Sequence, residues 1–192
     1  MRYVVFDVET QNIFDDVGSH DPALLDISVV SAYDSLSDAY TTVSIDELAR
    51  LWNVFERADA LVGYNSNHFD IPLLDKYYPG SLLRIQSIDL LEAIRESLGR
   101  RVRLDSVAEA TLGEKKNGNG LQATAWWKQG EIEKIKTYCE RDVRLTKGLF
   151  EYALKNQKLL VREGLKVREI PIDTALWRIQ ERPAALTHSL PF

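Results

Sequence analysis

Apolar residues recur at helical spacing over residues 131–157 and alternate with a period of two over residues 2–10. The first stretch, EIEKIKTYCERDVRLTKGLFEYALKNQ, has no proline and sets Ile135, Tyr138, Cys139, Leu145, Leu149, Phe150 and Ala153 on one stripe. That pattern predicts a long helix facing a core. The second, RYVVFDVET, predicts a strand with Tyr3, Val5, Asp7 and Glu9 on one face. Residues 11–24 read as a polar loop, 25–33 as a second strand, 34–38 as a turn and 39–43 as a third strand. Together the three strands form an antiparallel meander.

Further along, residues 44–58 predict a helix with Ser44 as N-cap and Glu47 completing a capping box. Its apolar face is Leu48, Leu51, Trp52 and Phe55. Residues 60–64 form a short buried strand that leaves through Asn65, Ser66 and Asn67, and His68 reads as a loop residue. Pro72 sits comfortably only in a first helical turn, so Asp70 stands at a helix N-terminus directly after a strand. Asp89 stands likewise before LLEAIRESLG. Aspartate is a preferred N-cap. For Asp89 that is the reading taken, whereas for Asp70 a cap and a functional role both stay open. Residues 103–112 predict a helix, 113–120 (GEKKNGNG) a flexible basic loop, and 159–173 a hairpin turning at Glu163-Gly164. Trp126 and Trp127 lead into the long helix as core aromatics, with stacking on bases the alternative. Residues 180–192 hold two prolines and little pattern.

A length of 192 residues suits one domain with its own core. With 45% hydrophobic and 28% charged residues the composition is that of a soluble globular protein. No apolar run approaches the roughly 18 residues of a membrane span. The single cysteine, Cys139, has no intramolecular disulfide partner, and Met1 runs straight into a strand without a signal-peptide pattern, so a cytoplasmic home is expected. The net charge of −5 opposes phosphate binding unless it is concentrated at one place. Four carboxylates holding two divalent cations would take −5 to −1.

The acids give that idea substance. Asp142 falls on the buried stripe of the long helix, four residues after Tyr138. A buried carboxylate is costly without compensation, so Asp142 either pairs with a nearby Arg or Lys or faces a metal beside Tyr138. Asp7 and Glu9, side by side on a strand, repel one another. Either they begin a loop and point to water, or they chelate a cation.

In order, these motifs are Phe6-Asp7-Val8-Glu9-Thr10, then Gly63-Tyr64-Asn65 through Phe69-Asp70, then Tyr138-Cys139-Glu140-Arg141-Asp142. Their order and spacing resemble the DEDDy-type 3′-5′ exonucleases of the ribonuclease H-like superfamily. Tyr138, four before Asp142, matches the tyrosine subfamily, because Thr137 stands where the histidine subfamily has its histidine. Leu104-Asp105-Ser106-Val107-Ala108, Leu112-Gly113 and the run from Trp127 through Gly130 to Tyr138 are similar to the proofreading domains of family B DNA polymerases. The resemblance covers about residues 1–155, with no polymerase attached and residues 156–192 unmatched. It implies an α/β fold with a central mixed five-stranded sheet flanked by helices. Residues 1–155 would form the exonuclease domain, and 156–192 a C-terminal hairpin or tail packed on it or tethered to it.

It implies a site as well. Hydrolysing a phosphodiester needs an activated water and relief of charge on the leaving oxygen, which two cations about 3.5–4 Å apart supply. Mg²⁺ or Mn²⁺ would be held by oxygen ligands. On the resemblance Asp7, Glu9 and Asp142 hold one ion, Asp7 bridges to the second, and Asp70 binds that one directly or through water. Tyr138 would position the attacking water, its ordinary pKa near 10 suiting it to that more than to base catalysis. Asn65 and Phe69 would stand near substrate, Ile13 and Phe14 would wedge against terminal bases, and Lys115 and Lys116 would contact phosphates. Arg100, Arg101 and Arg103 are either phosphate contacts or a solvated basic face.

The implied activity is removal of nucleotides from the 3′ ends of single-stranded DNA. RNA is the alternative substrate, since nothing in the sequence reads a 2′-hydroxyl. A non-catalytic interaction module of the same fold is a second alternative, and a ribonuclease H-like endonuclease or resolvase, which leaves Tyr138 without a purpose, a third. The ending from Thr187 to Phe192 has a Leu-x-Phe close, like the tails by which bacterial replication proteins bind the sliding clamp, with Thr187 in place of the usual glutamine. Such a tail either tethers a replication or repair partner or packs back on the domain.

Overall fold

The computed structural model describes residues 1–114, 120–164 and 166–177. Strand β1 (Tyr3–Thr10) is followed by a four-residue helix α1 (Phe14–Val17), then by strands β2 (Ile27–Asp34) and β3 (Ala39–Ser44). Helix α2 (Ala49–Glu56), strand β4 (Ala60–Gly63), helix α3 (Asp70–Asp75), strand β5 (Gln86–Asp89) and helix α4 (Leu90–Leu98) come next. Helices α5 (Leu104–Leu112), α6 (Gly120–Lys128) and α7 (Ile132–Asn156) precede a hairpin of β6 (Lys158–Glu163) and β7 (Lys166–Pro171).

The first five strands make one sheet in the order β3-β2-β1-β4-β5. β1, β2 and β3 form the expected antiparallel meander, and β4 and β5 run parallel to β1. This is a mixed five-stranded sheet of ribonuclease H-like topology. The β1–β4 pairing extends only over Tyr3, Val4 and Val5. Beyond Val5 the two strands part.

Period-two alternation in β1 feeds two separate cores. Val4, Phe6 and Val8 pack with Leu51 and Phe55 of α2 and with Ile71, Leu73 and Leu74 of α3. Val5 packs on the other face with Ile94 of α4, Val107 of α5, and Val143, Leu149, Phe150 and Ala153 of α7. The hairpin joins this second core through Leu159, Val161 and Ile170, followed by Ile172 and Trp177. Asp7 and Glu9 therefore share the face that α7 covers.

Several local expectations change. Ser44 does not cap a helix N–H. Its hydroxyl meets the Glu47 carboxylate at 3.4 Å, and a 3₁₀ turn over Ile45–Glu47 separates it from α2. Residues 11–24 are not all loop, because Asp16 accepts from the Ile13 N–H and closes α1, and Asp21 caps a 3₁₀ turn over Pro22–Leu24. Asp89 caps α4 as expected, accepting from the N–H groups of Leu91 and Glu92. The hairpin turns where Glu163 and Gly164 predict it, with Gly164 at φ 61°. Trp126 and Trp127 pack around Val29, Ala123, Ile135 and Cys139. No helix among the described residues is long and apolar enough to cross a membrane.

Candidate active site

Strand β1 and helix α7 cross where each carries acids. Ligand oxygens of Asp7, Glu9 and Asp142 all lie within 4.8 Å of one another. One turn before Asp142 on the same helix face, Tyr138 donates its hydroxyl to the Asp142 carboxylate. Between them in sequence, the Cys139 thiol points at β1 and donates to the Asp7 carbonyl oxygen at 3.3 Å and to Asp7 Oδ2 at 3.5 Å.

The fourth acid comes from the opposite layer. Asp70 is the first residue of α3, and Phe69 occupies the N-cap position. Its Oδ1 accepts from the Val8 N–H at 3.0 Å. The cap reading of Asp70 therefore does not hold, for a reason in the sheet. β4 has already parted from β1, so the Val8 N–H has no strand carbonyl on that side, and the carboxylate takes the place of one. Asp70 stands outside the 4.8 Å cluster but next to it.

Burial and mutual repulsion dominate the electrostatics. Loss of solvation pushes Asp7 and Glu9 well above the usual carboxylate range, and the neighbouring charges add to it. Those are Glu9, Asp70 and Asp142 for Asp7, and Asp142 and Asp70 for Glu9. Asp70 is pushed up to about 7, chiefly by burial, with the Val8 N–H opposing the shift. The charges that act most strongly on Asp7 and Glu9 are those of the other acids. Burial, followed by the charges of Asp142, Glu9 and Asp7, also raises Tyr138, so its hydroxyl keeps its proton at neutral pH. The Cys139 thiol is raised by burial and then by Asp7, and it stays neutral. Hard oxygen donors that repel one another in a half-buried site suit a divalent cation such as Mg²⁺ or Mn²⁺. A softer metal would call for thiolate or imidazole ligands, and the donor set here has neither.

These acids open onto a cleft of about 740 Å³ lined by Asp7, Glu9 and Asp70 and walled by Ile13, Phe14, Asn65 and Phe69. Phe14 and Phe69 meet edge to face with centroids 6.0 Å apart. The fold thus gathers the sequence-selected residues Ile13, Phe14, Asn65 and Phe69 beside the acids. Lys115 and Lys116 lie outside the described residues, as does the segment Thr187 to Phe192. The three arginines separate. Arg101 and Arg103 line the cleft, whereas Arg100 pairs with Glu163 of the hairpin at 2.8 Å.

Sequence reasoning missed contacts made by three residues. Cys139 reads as one more apolar residue on a helical stripe, and nothing in its spacing signals a contact with Asp7. Asp89 is legible as a cap, but it also accepts from the N–H groups of Asn65 at 2.8 Å and Asn67 at 3.0 Å, which fixes the loop below the cleft. Arg101 donates to Asn65 Oδ1 at 2.6 Å, a contact between residues 36 apart that no local pattern announces.

A sequence profile described as the RNase_H superfamily matches residues 4–154. Among solved structures, the family B DNA polymerase of the hyperthermophilic archaeon Pyrobaculum calidifontis is similar, with a TM-score of 0.63 and 22% identity over 80% of this chain. The present chain spans only 24% of that polymerase. Comparison with curated protein sequences finds no match. The profile covers the sheet, the four acids and nearly all of α7, and on that ground the chain belongs to the ribonuclease H superfamily.

Proposed function

We propose that the protein is a two-metal-ion 3′-5′ exonuclease that removes nucleotides from the 3′ ends of single-stranded DNA. The observation that carries this reading is the convergence of Asp7, Glu9 and Asp142 within 4.8 Å, with Asp70 alongside, where Asp7, Glu9 and Asp70 line a cleft walled by apolar and aromatic side chains. Asp7, Glu9 and Asp142 would hold one cation, with Asp7 and Asp70 facing the second. When bound, the cations would make water acidic enough to attack and would offset charge on the leaving oxygen. The chain's own groups do the rest. Tyr138, which keeps its proton, positions rather than acts as a base. Its O–H donates to Asp142, which holds the hydroxyl oxygen at the acid cluster as an acceptor for the attacking water. Ile13, Phe14 and Phe69 offer apolar surface for terminal bases, and Asn65 a polar contact beside them. A likeness to a family B polymerase supports a setting in replication or repair.

Single-stranded DNA and RNA oligomers labelled at the 5′ end, incubated with Mg²⁺, Mn²⁺ or EDTA, test the reading. The expected result is a ladder shortening from the 3′ end, stronger on DNA, abolished by EDTA and by Asp7→Asn. Internal cuts would point to an endonuclease and preference for RNA to an exoribonuclease. Binding without cleavage in any metal would reduce the protein to an interaction module.

A further inference from the structure

A cleft floored by Asp7, Glu9 and Asp70 repels the polyanion it would have to admit. Before any cation binds, the substrate's phosphates meet negative charge, so attraction has to come from the walls. The segment carrying Arg101 and Arg103 is fastened there, since the Tyr64 hydroxyl donates to the Val102 carbonyl at 2.7 Å and Val102 itself is buried. Both arginines flank that pin on the cleft wall and are exposed.

Arg101 does more than lend charge. Its Nη2 lies 2.6 Å from Asn65 Oδ1. A guanidinium only donates, so it fixes which way the amide faces and leaves the Asn65 amino group as the end that can meet substrate. The Asn65 backbone is held just as firmly. It sits at φ 67°, its N–H donates to Asp89, and its carbonyl accepts from the N–H groups of His68 and Phe69. Asn65 is thus a preorganised donor, and Arg101 sets its polarity.

We propose that Arg101 is a positioning residue for substrate, contacting a backbone phosphate of a single strand in the cleft while orienting the Asn65 amide toward it. This rests on the nucleic-acid reading of the cleft but not on cleavage. A phosphate contact contributes a counterion-release slope of about 0.7 in log Kd against log salt for single strands, and an adjacent amide has no such signature.

The test is fluorescence anisotropy of 5′-labelled oligothymidylate with the full chain in EDTA, across a range of NaCl concentrations. Arg101→Gln, Arg101→Lys and Arg100→Gln are compared with wild type, and Mn²⁺ titration and melting serve as controls. Arg101→Gln is expected to weaken binding about tenfold at low salt and to flatten the slope by about 0.7. Arg101→Lys should restore the slope but not the full affinity, because an ammonium keeps the charge and loses the planar fork. Arg100→Gln should match wild type. An unchanged slope in Arg101→Gln, or an equal loss in Arg100→Gln, overturns the assignment, and so does lost Mn²⁺ binding by Arg101→Gln. Wild-type protein that binds strands and never shortens them would sink the exonuclease reading and leave this one standing.

Discussion

Asp7, Glu9 and Asp70 hold their protons more tightly in the folded chain than in an unfolded one, where carboxyl pKa values lie near 4. The sign of the pH dependence follows. Because the folded state binds more protons between about pH 4 and the raised values, acidification stabilises the metal-free protein and alkalinity destabilises it. In EDTA the melting temperature is therefore expected to be higher at pH 5.5 than at pH 8. Added Mn²⁺ should raise it more at pH 8, where the acids are ionised. A metal-free melting temperature that climbs with pH would contradict the geometry. Tyr138 makes a separate prediction. Tyr138→Phe keeps the ring packed edge to face against Trp126 and deletes only the hydroxyl bonded to Asp142. Turnover should fall by about a hundredfold, the lower end of the range for a lost acid-base group, while Mn²⁺ and strand binding stay close to normal. These acids were legible in the sequence because carboxylates on an apolar strand and an apolar stripe break a pattern. Cys139 was not, because it keeps the pattern and its contact is made across 132 positions.

Elements place these residues, and one capping residue shows how. Asp89 holds the start of α4 and also the N–H groups of Asn65 and Asn67. Asp89→Ala should cost about 1 kcal/mol for the cap and a further 1–3 kcal/mol, roughly, for the amides left unpaired. It should also loosen strand binding, because Asn65 loses its anchor. Chemical denaturation with parallel anisotropy measures both, and a stability loss with unaltered binding would separate the cap from the loop. The cap was readable from Asp before a helical run, but the loop contacts depend on β4 and β5 lying side by side. β5 itself escaped the sequence reading for a plain reason. Gln86-Ser87-Ile88-Asp89 is short and mostly polar, and it becomes a strand only because β4 offers an open edge. The capping box at Ser44 failed for the opposite reason, since a local motif gave way to a tight 3₁₀ turn at the end of β3.

At the scale of the molecule, hydrophobic periodicity supplied the meander and the strand-helix unit after it, whereas the five-stranded sheet was an expectation from the family resemblance carried by the acid motifs. The part played by the hairpin was less visible, because two short strands do not say what they cover. They cover the α5–α7 side of the sheet and insert Leu159, Val161 and Ile170, with Ile172 and Trp177 following. Each buried side chain of that kind is worth about 1.5–3 kcal/mol, and the set rivals the roughly 5–15 kcal/mol that keeps a domain folded. A chain truncated after Asn156 is accordingly expected to lose cooperative melting although all four acids remain. If it melts sharply near the wild-type temperature, the hairpin is an accessory.

The parting of β1 from β4 has one more consequence. Val8 belongs to the sheet, yet its amide proton is bound by a side chain that belongs to the site. That proton is a reporter built into the backbone. Its exchange with solvent should be slow while Asp70 holds it, and its resonance should move as soon as a cation draws on the same carboxylate. An amide NMR titration with Mg²⁺ would then test whether the proposed second metal position is occupied. Cation binding at Asp70 would be legible from a single main-chain hydrogen, and a Val8 signal that ignores Mg²⁺ would place Asp70 with the scaffold alone.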